Sequence, residues 1–209
     1  MTQMRMAKQL VALAALVGAT ISCGDVSRQG QSPVYLVIDS LQGRRGGGPG
    51  ATPGSTLLSD VITFVRSPAP CSATSPCATI FNDVGIVQFS TSMKDITNPV
   101  KPTTNNSVTI NRYRVSYRRA DGRNTPGVDV PYPFDGAATV TVPGGGKVEM
   151  GFEWVRHAAK EESPLVQLQS SPTFITTIAD VTFWGTDQVG NDISVTGSMQ
   201  IDFGNFGDF

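Results

Sequence analysis

The side chains in this chain that could do chemistry are few and widely spaced. Asp121, Asp129 and Asp135 fall between Ala120 and Gly136, and two carboxylates flanking a sugar linkage are the working parts of a glycosidase. The same segment is crowded with proline, glycine and asparagine, however. Spacing in such a segment sets no separation in space, and turn roles are the favoured reading. The one histidine, His157, lies in the charged run from Arg156 to Glu162. A catalytic base needs an oriented nucleophile, and no Gly-x-Ser-x-Gly elbow accompanies it. Gly46 to Gly50 and Gly144 to Gly146 do not make a phosphate loop. The first is not followed by Lys-Ser or Lys-Thr, and Lys147 is followed by Val148, where the motif needs a hydroxyl for magnesium. The chain is therefore expected to be non-enzymatic and to need no cofactor.

Two further sets could bind rather than react. Asp187, Asn191 and Asp192 place hard oxygen ligands close together, a weak calcium candidate, since calcium takes six to eight such ligands and the segment offers about half. Turn chemistry is the favoured role, with Gly190 supplying a positive φ and the Asx side chains bonding nearby backbone. Tyr132 and Phe134 lie among prolines at the end of a long connection. Aromatic rings on a loop held by a rigid scaffold suit a partner contact, and capping the core would suit them equally. This loop is the expected partner-binding site.

The N-terminus carries an address. Arg5 and Lys8 precede an uncharged apolar run from Leu10 to Ile21 that ends at small residues, the layout of a secretory signal peptide. At twelve residues the run is shorter than the ~20 needed to span a bilayer. The segment resembles the signal of bacterial lipoproteins, although Thr20 stands where an aliphatic residue is usual. That resemblance implies cleavage after residue 22 and lipidation of Cys23, with membrane attachment through the lipid anchor. In the family's sorting rule an aspartate directly after the cysteine retains the protein in the inner membrane. Here Gly24 stands there, so outer-membrane placement is expected, in either leaflet. An ordinary secreted protein cut near Ala19 is the alternative. With Cys23 given to lipid, Cys71 and Cys77 remain as an even pair outside the reducing cytosol, which predicts a disulfide.

Removing Arg5 and Lys8 with the signal leaves 14 basic against 17 acidic residues. A mildly acidic module with no basic stripe excludes nucleic acid as a partner. The expected organisation is a signal peptide at 1–22, a lipidated cysteine and tether at 23–32, and one β domain at 33–209, in which the Gly43 to Gly54 stretch is a mobile loop.

Period-2 patterning dominates that domain. Val148, Met150, Phe152 and Trp154 share one face, as do Ile193, Val195, Met199, Ile201 and Phe203, each set marking a half-buried strand. Val108 and Ile110 have one parity while Tyr113, Val115 and Tyr117 have the other, which predicts a β-bulge at Asn111-Arg112. Further strands are expected near 34–39, 57–66, 84–93, 137–142 and 174–184. From Val181 through Asp187, Gly190 and Asn191 to Val195, the sequence resembles the last hairpin of bacterial immunoglobulin-like domains. The expected fold is thus all-β, an antiparallel two-sheet immunoglobulin-like sandwich of about eight strands.

The function these observations imply is a membrane-anchored envelope lipoprotein acting as a non-catalytic binding or structural module, with an envelope protein or polysaccharide as partner. A carbohydrate-active enzyme using loop carboxylates is one alternative. A small outer-membrane β-barrel is another, suggested by strand number and the terminal Phe209, although 8% aromatic residues is thin for a barrel's aromatic girdles.

Overall fold

The computed structural model describes residues 30–47, 51–95, 97 and 100–207. The signal segment, Cys23 and most of the tether lie outside the described residues, as does Phe209.

The chain is all-β, with ten strands rather than about eight: β1 (Val34–Arg44), β2 (Thr56–Asp60), β3 (Thr63–Val65), β4 (Cys77–Thr79), β5 (Asp83–Met93), β6 (Val108–Arg118), β7 (Phe134–Val142), β8 (Lys147–Val155), β9 (Ile175–Asp187) and β10 (Asp192–Gly204). One sheet has the order β1-β5-β8 and a second the order β2-β10-β9-β6-β7, while β3 and β4 form a small separate hairpin. The sheets curl into a half-barrel. The expected strand at 57–66 is broken after Asp60 into β2 and β3, which belong to different sheets. Pairing is antiparallel except that β2 runs parallel to β10. That departure arises because the chain leaves β1 in one sheet, is pinched by reciprocal Gly43 and Gly54 backbone hydrogen bonds of 2.9 Å, and continues in the other sheet.

Alternation along the strands sets the core. On β5 the inward positions are Asp83, Gly85, Val87, Phe89 and Thr91, and on β9 they include Ala179, Val181, Phe183 and Gly185. The inner faces meet through edge-to-face rings. Phe89 and Phe183 have centroids 4.9 Å apart, Phe152 and Phe183 5.3 Å, and Phe152 and Trp154 4.9 Å. Such pairs add about 0.5–1.5 kcal/mol each beyond the area they bury. The polar ends of the buried rings find backbone acceptors: Trp154 Nε1 donates to Gln42 O at 3.0 Å and the Tyr117 hydroxyl to Trp154 O.

The parity change in β6 is resolved as expected. The register of β6 against both β7 and β9 shifts between Ile110 and Arg112, so Asn111 is the extra residue and Tyr113, Val115 and Tyr117 join Val108 and Ile110 in the core. Close approach explains Gly197 in β10. A Cβ there would lie 2.8 Å from Leu41 and 2.9 Å from Ile38, so its absence lets β1 lie over β10.

Strand directions give the molecule two poles. Residue 34 of β1, the β5 end at Met93, the β7–β8 turn and the β9–β10 turn lie at one pole, which we call near because the chain enters the fold there. The β1–β2, β2–β5, β6–β7 and β8–β9 connections all lie at the opposite, far pole.

Candidate functional site at the far pole

Two of the near-pole connections are tight turns, braced from outside where Gly144 N donates to Ser107 Oγ at 3.3 Å and Gly145 N to Thr91 Oγ1 at 3.4 Å. Asp187 Oδ1 accepts the Val189 and Asn191 amides at 3.0 and 2.8 Å, and Oδ2 accepts Asn191 Nδ2 at 2.9 Å. Gly190 adopts φ 86° and donates its N–H to Asp187 O at 3.1 Å. Burial would raise the Asp187 carboxyl, but the hydrogen bonds from Asn191, Val189 and Ser32 prevail and hold it below the usual carboxylate range. Its oxygens are therefore occupied by turn amides, and Asn191 presents its NH2 group to them. Asp192 begins β10 opposite Thr186. The Ser32 contact docks the end of the tether on this turn. The β7–β8 connection is likewise a turn, closed by Gly146 N to Pro143 O at 3.1 Å.

The far pole is built differently. Its four connections carry three of the four aromatic rings exposed among the described residues, Phe64, Tyr132 and Phe174, whereas Tyr35 is at the near pole. Cys71 and Cys77 form the expected disulfide, with Cα atoms 5.3 Å apart, and it ties the loop that returns from β3 to β4.

Within the β6–β7 connection the two aromatic residues singled out by sequence divide. Phe134 is 8% exposed and starts β7, packed edge-on to Tyr113 and covered by the Arg156 guanidinium 4.0 Å above its ring. Tyr132 is 55% exposed and presents its ring to solvent, braced on Gly127, where a Cβ would come within 2.3 Å of its hydroxyl. The loop is stiffened from within, by Gly127 N to Val130 O at 2.8 Å and Asp129 N to Thr125 O at 2.8 Å.

The three acids of this region are each engaged. Asp121 accepts Arg119 Nη2 at 2.6 Å and Arg123 Nη2 at 2.7 Å, and these two guanidiniums hold its carboxyl far below the usual range. Asp129 Oδ2 accepts the Thr125 amide at 3.1 Å. Asp135 pairs with Arg114 at 2.7 Å. Beside the Arg119–Asp121 pair lies a shallow open groove of about 310 Å³ lined also by Phe174, Thr176 and Ile178. Phe174 is 65% exposed.

Beneath these loops the core ends in a buried polar floor that sequence reading did not anticipate. Asp83 of β5, Ser59 and Asp60 of β2, and Lys160 are all buried. Lys160 belongs to a helical turn, His157–Lys160, inside the charged run from Arg156 to Glu162, and it is only 1% exposed. Its Nζ lies 2.8 Å from Asp83 Oδ2 and donates to Asp60 O at 2.8 Å. Ser59 Oγ donates to Asp83 Oδ2 at 2.6 Å, and the Gly46 amide to Asp83 Oδ1 at 2.9 Å. Burial first, then the Asp83 charge, pushes the nearby Tyr117 hydroxyl well above its ordinary pKa, so it stays a neutral donor.

Among the described residues no three of the His, Cys, Asp and Glu side chains gather to hold a metal, and no helix is long and apolar enough to cross a membrane. Comparison with known proteins gave no matching family model and no matching curated protein.

Proposed function

We propose that this chain is a lipid-anchored module of the bacterial envelope, exported by residues 1–22, attached to the outer membrane through Cys23, and acting by binding rather than catalysis. The observation that carries the reading is the two-ended layout. The tether docks through Ser32 on the β9–β10 turn, and the stretch from Cys23 to Ser32 reaches at most about 30 Å when extended. An anchor at Cys23 therefore holds the near pole toward the membrane and turns the far pole, with Phe64, Tyr132, Phe174 and the groove beside Arg119, toward a partner in the envelope. Exposed aromatics on braced loops are the usual material of such a contact, whether with protein or polysaccharide.

We read the two larger sheets as an immunoglobulin-like sandwich with additions. The order β1-β5-β8 corresponds to strands A, B and E, and β10-β9-β6-β7 to G, F, C and C′. The edge strand β2 and the disulfide-closed β3–β4 hairpin are the additions. This order and the interlocked inner rings support the assignment.

The other readings find less support. A glycosidase needs two carboxylates facing each other across a cleft, and Asp121, Asp129 and Asp135 are taken up by separate partners. A membrane barrel needs an apolar outward belt. Here the outward side of the large sheet carries the Arg114–Asp135 and Arg118–Asp180 pairs and Thr182 bonded to Thr196.

Membrane fractionation of the wild type and of Cys23→Ala tests the anchor. The wild type is expected in the membrane fraction and the variant in the soluble fraction. A variant that stays membrane-bound contradicts the proposal.

A further inference from the structure

The buried floor of the far pole holds an amine and a carboxyl in contact, with water excluded from both. The carboxyl is divided in its contacts: Asp83 Oδ1 faces the Gly46 backbone amide, while Oδ2 faces both Lys160 Nζ and the Ser59 hydroxyl. Lys160 and Asp83 come from different parts of the chain, the connection after β8 and the start of β5, and both side chains are 1% exposed. Desolvation works against each charge of such a pair. An amide between Nζ and Cγ would carry no charge. Its N–H could still donate to Asp60 O, and its carbonyl oxygen could still accept the Gly46 amide, while the Ser59 hydroxyl, which donates to Oδ2, would have to turn to the remaining carbonyl oxygen.

We propose that Lys160 and Asp83 are joined in the mature protein by an intramolecular amide. A proton passes from the ammonium to Oδ2, giving a neutral amine and a carboxylic acid. The Nζ lone pair then attacks Cγ and forms the C–N bond, while the Gly46 N–H stabilises the negative charge that develops on Oδ1. One amine proton moves by way of the Ser59 hydroxyl to Oδ2, the Cγ–Oδ2 bond breaks, and one water leaves. Nothing is oxidised or reduced, and no co-reactant is consumed. The fold supplies proximity, which makes the condensation effectively unimolecular.

The test is a peptide map of the full chain, denatured, reduced, alkylated and digested with trypsin. Asp83 lies in the tryptic segment 67–94 and Lys160 ends the segment 157–160, with no lysine or arginine from 161 to 209. An amide at Lys160 blocks cleavage there. The expected product is a branched species joining 67–94 to 157–209, lighter by one water than the two segments together. Recovery of separate 157–160 and 161–209 peptides with an unmodified 67–94 segment from folded protein overturns the proposal. Lys160→Arg keeps the cation and the cleavage site but lacks the amine, so its map must lack the branched species. The wild-type map is decisive even if that variant fails to fold.

Discussion

The near and far poles solve the same problem, ending a β core without orphaning its polar groups, by different means. At the near pole the solution is mostly local, with braces from Ser32 on Asp187 and from Ser107 and Thr91 on the β7–β8 turn. Asp187 bonds residues two and four positions on, and the Pro143–Gly146 turn closes on itself. At the far pole it is non-local, since Ser59, Asp83 and Lys160 come from three separate segments and complete one another only in the folded chain. The β7–β8 and β9–β10 connections at the near pole are tight turns, and Tyr35 is the exposed aromatic ring placed there among the described residues. Non-local closure leaves long connections above a fixed floor, and those connections carry the exposed rings. Under the proposed function, membrane attachment and partner contact fall at opposite ends of the fold.

The largest effect is expected from breaking the far floor. Lys160→Ala leaves the Asp83 carboxyl buried without its partner and should cost about 3–5 kcal/mol, read as a fall in denaturation midpoint or loss of soluble folded protein. A cost near that of a surface change would mean that the far pole is not organised around this pair. Removing the disulfide comes next. Replacing Cys71 and Cys77 by alanine should cost about 2 kcal/mol, the entropy of closing so short a loop, and the core rings should keep their near-ultraviolet signal.

At the near pole, Asp187→Ala should cost about 1–2 kcal/mol by orphaning the turn amides. The same residue gives the pole a pH signature. A carboxyl depressed on folding contributes stability that is fully present above its unfolded pKa of about 4 and is lost as pH falls through the lower folded value. Unfolding free energy should therefore fall on the acid side of about pH 4, and Asp187→Asn should flatten that limb. The smallest effects on stability, within about 0.5 kcal/mol, are expected for Tyr132→Ala and Phe174→Ala. Both should nonetheless weaken partner capture, a split that sharpens the contrast between floor and surface.

How much of this was legible in the sequence follows the same division. The strands of the sheets could be read because alternation is a local signal, as in Val148 to Trp154, and even the bulge at Asn111 showed as a change of parity. The Asp187 turn was equally legible, its residues lying within five positions. The far floor was not. Lys160 sits among Arg156, Glu161 and Glu162 and looks solvated, and nothing near Ser59 or Asp83 indicates that they meet it. The break between β2 and β3 was hidden for a related reason, because the Asp60 carboxylate at the break accepts the amide of the distant Phe206 as well as that of Ile62. Phe134 and Tyr132 were indistinguishable by type, and only packing under Arg156 separates them.

The central claim is that the far pole makes the partner contact while the near pole faces the membrane. Photocrosslinking in cells, with a photoreactive residue placed at Tyr132 or, in a second strain, at Val189 of the near-pole turn, which is 81% exposed, tests it most directly. The account predicts a discrete adduct with an envelope component from position 132 and none from position 189. A discrete adduct from position 189 with none from 132 would contradict it.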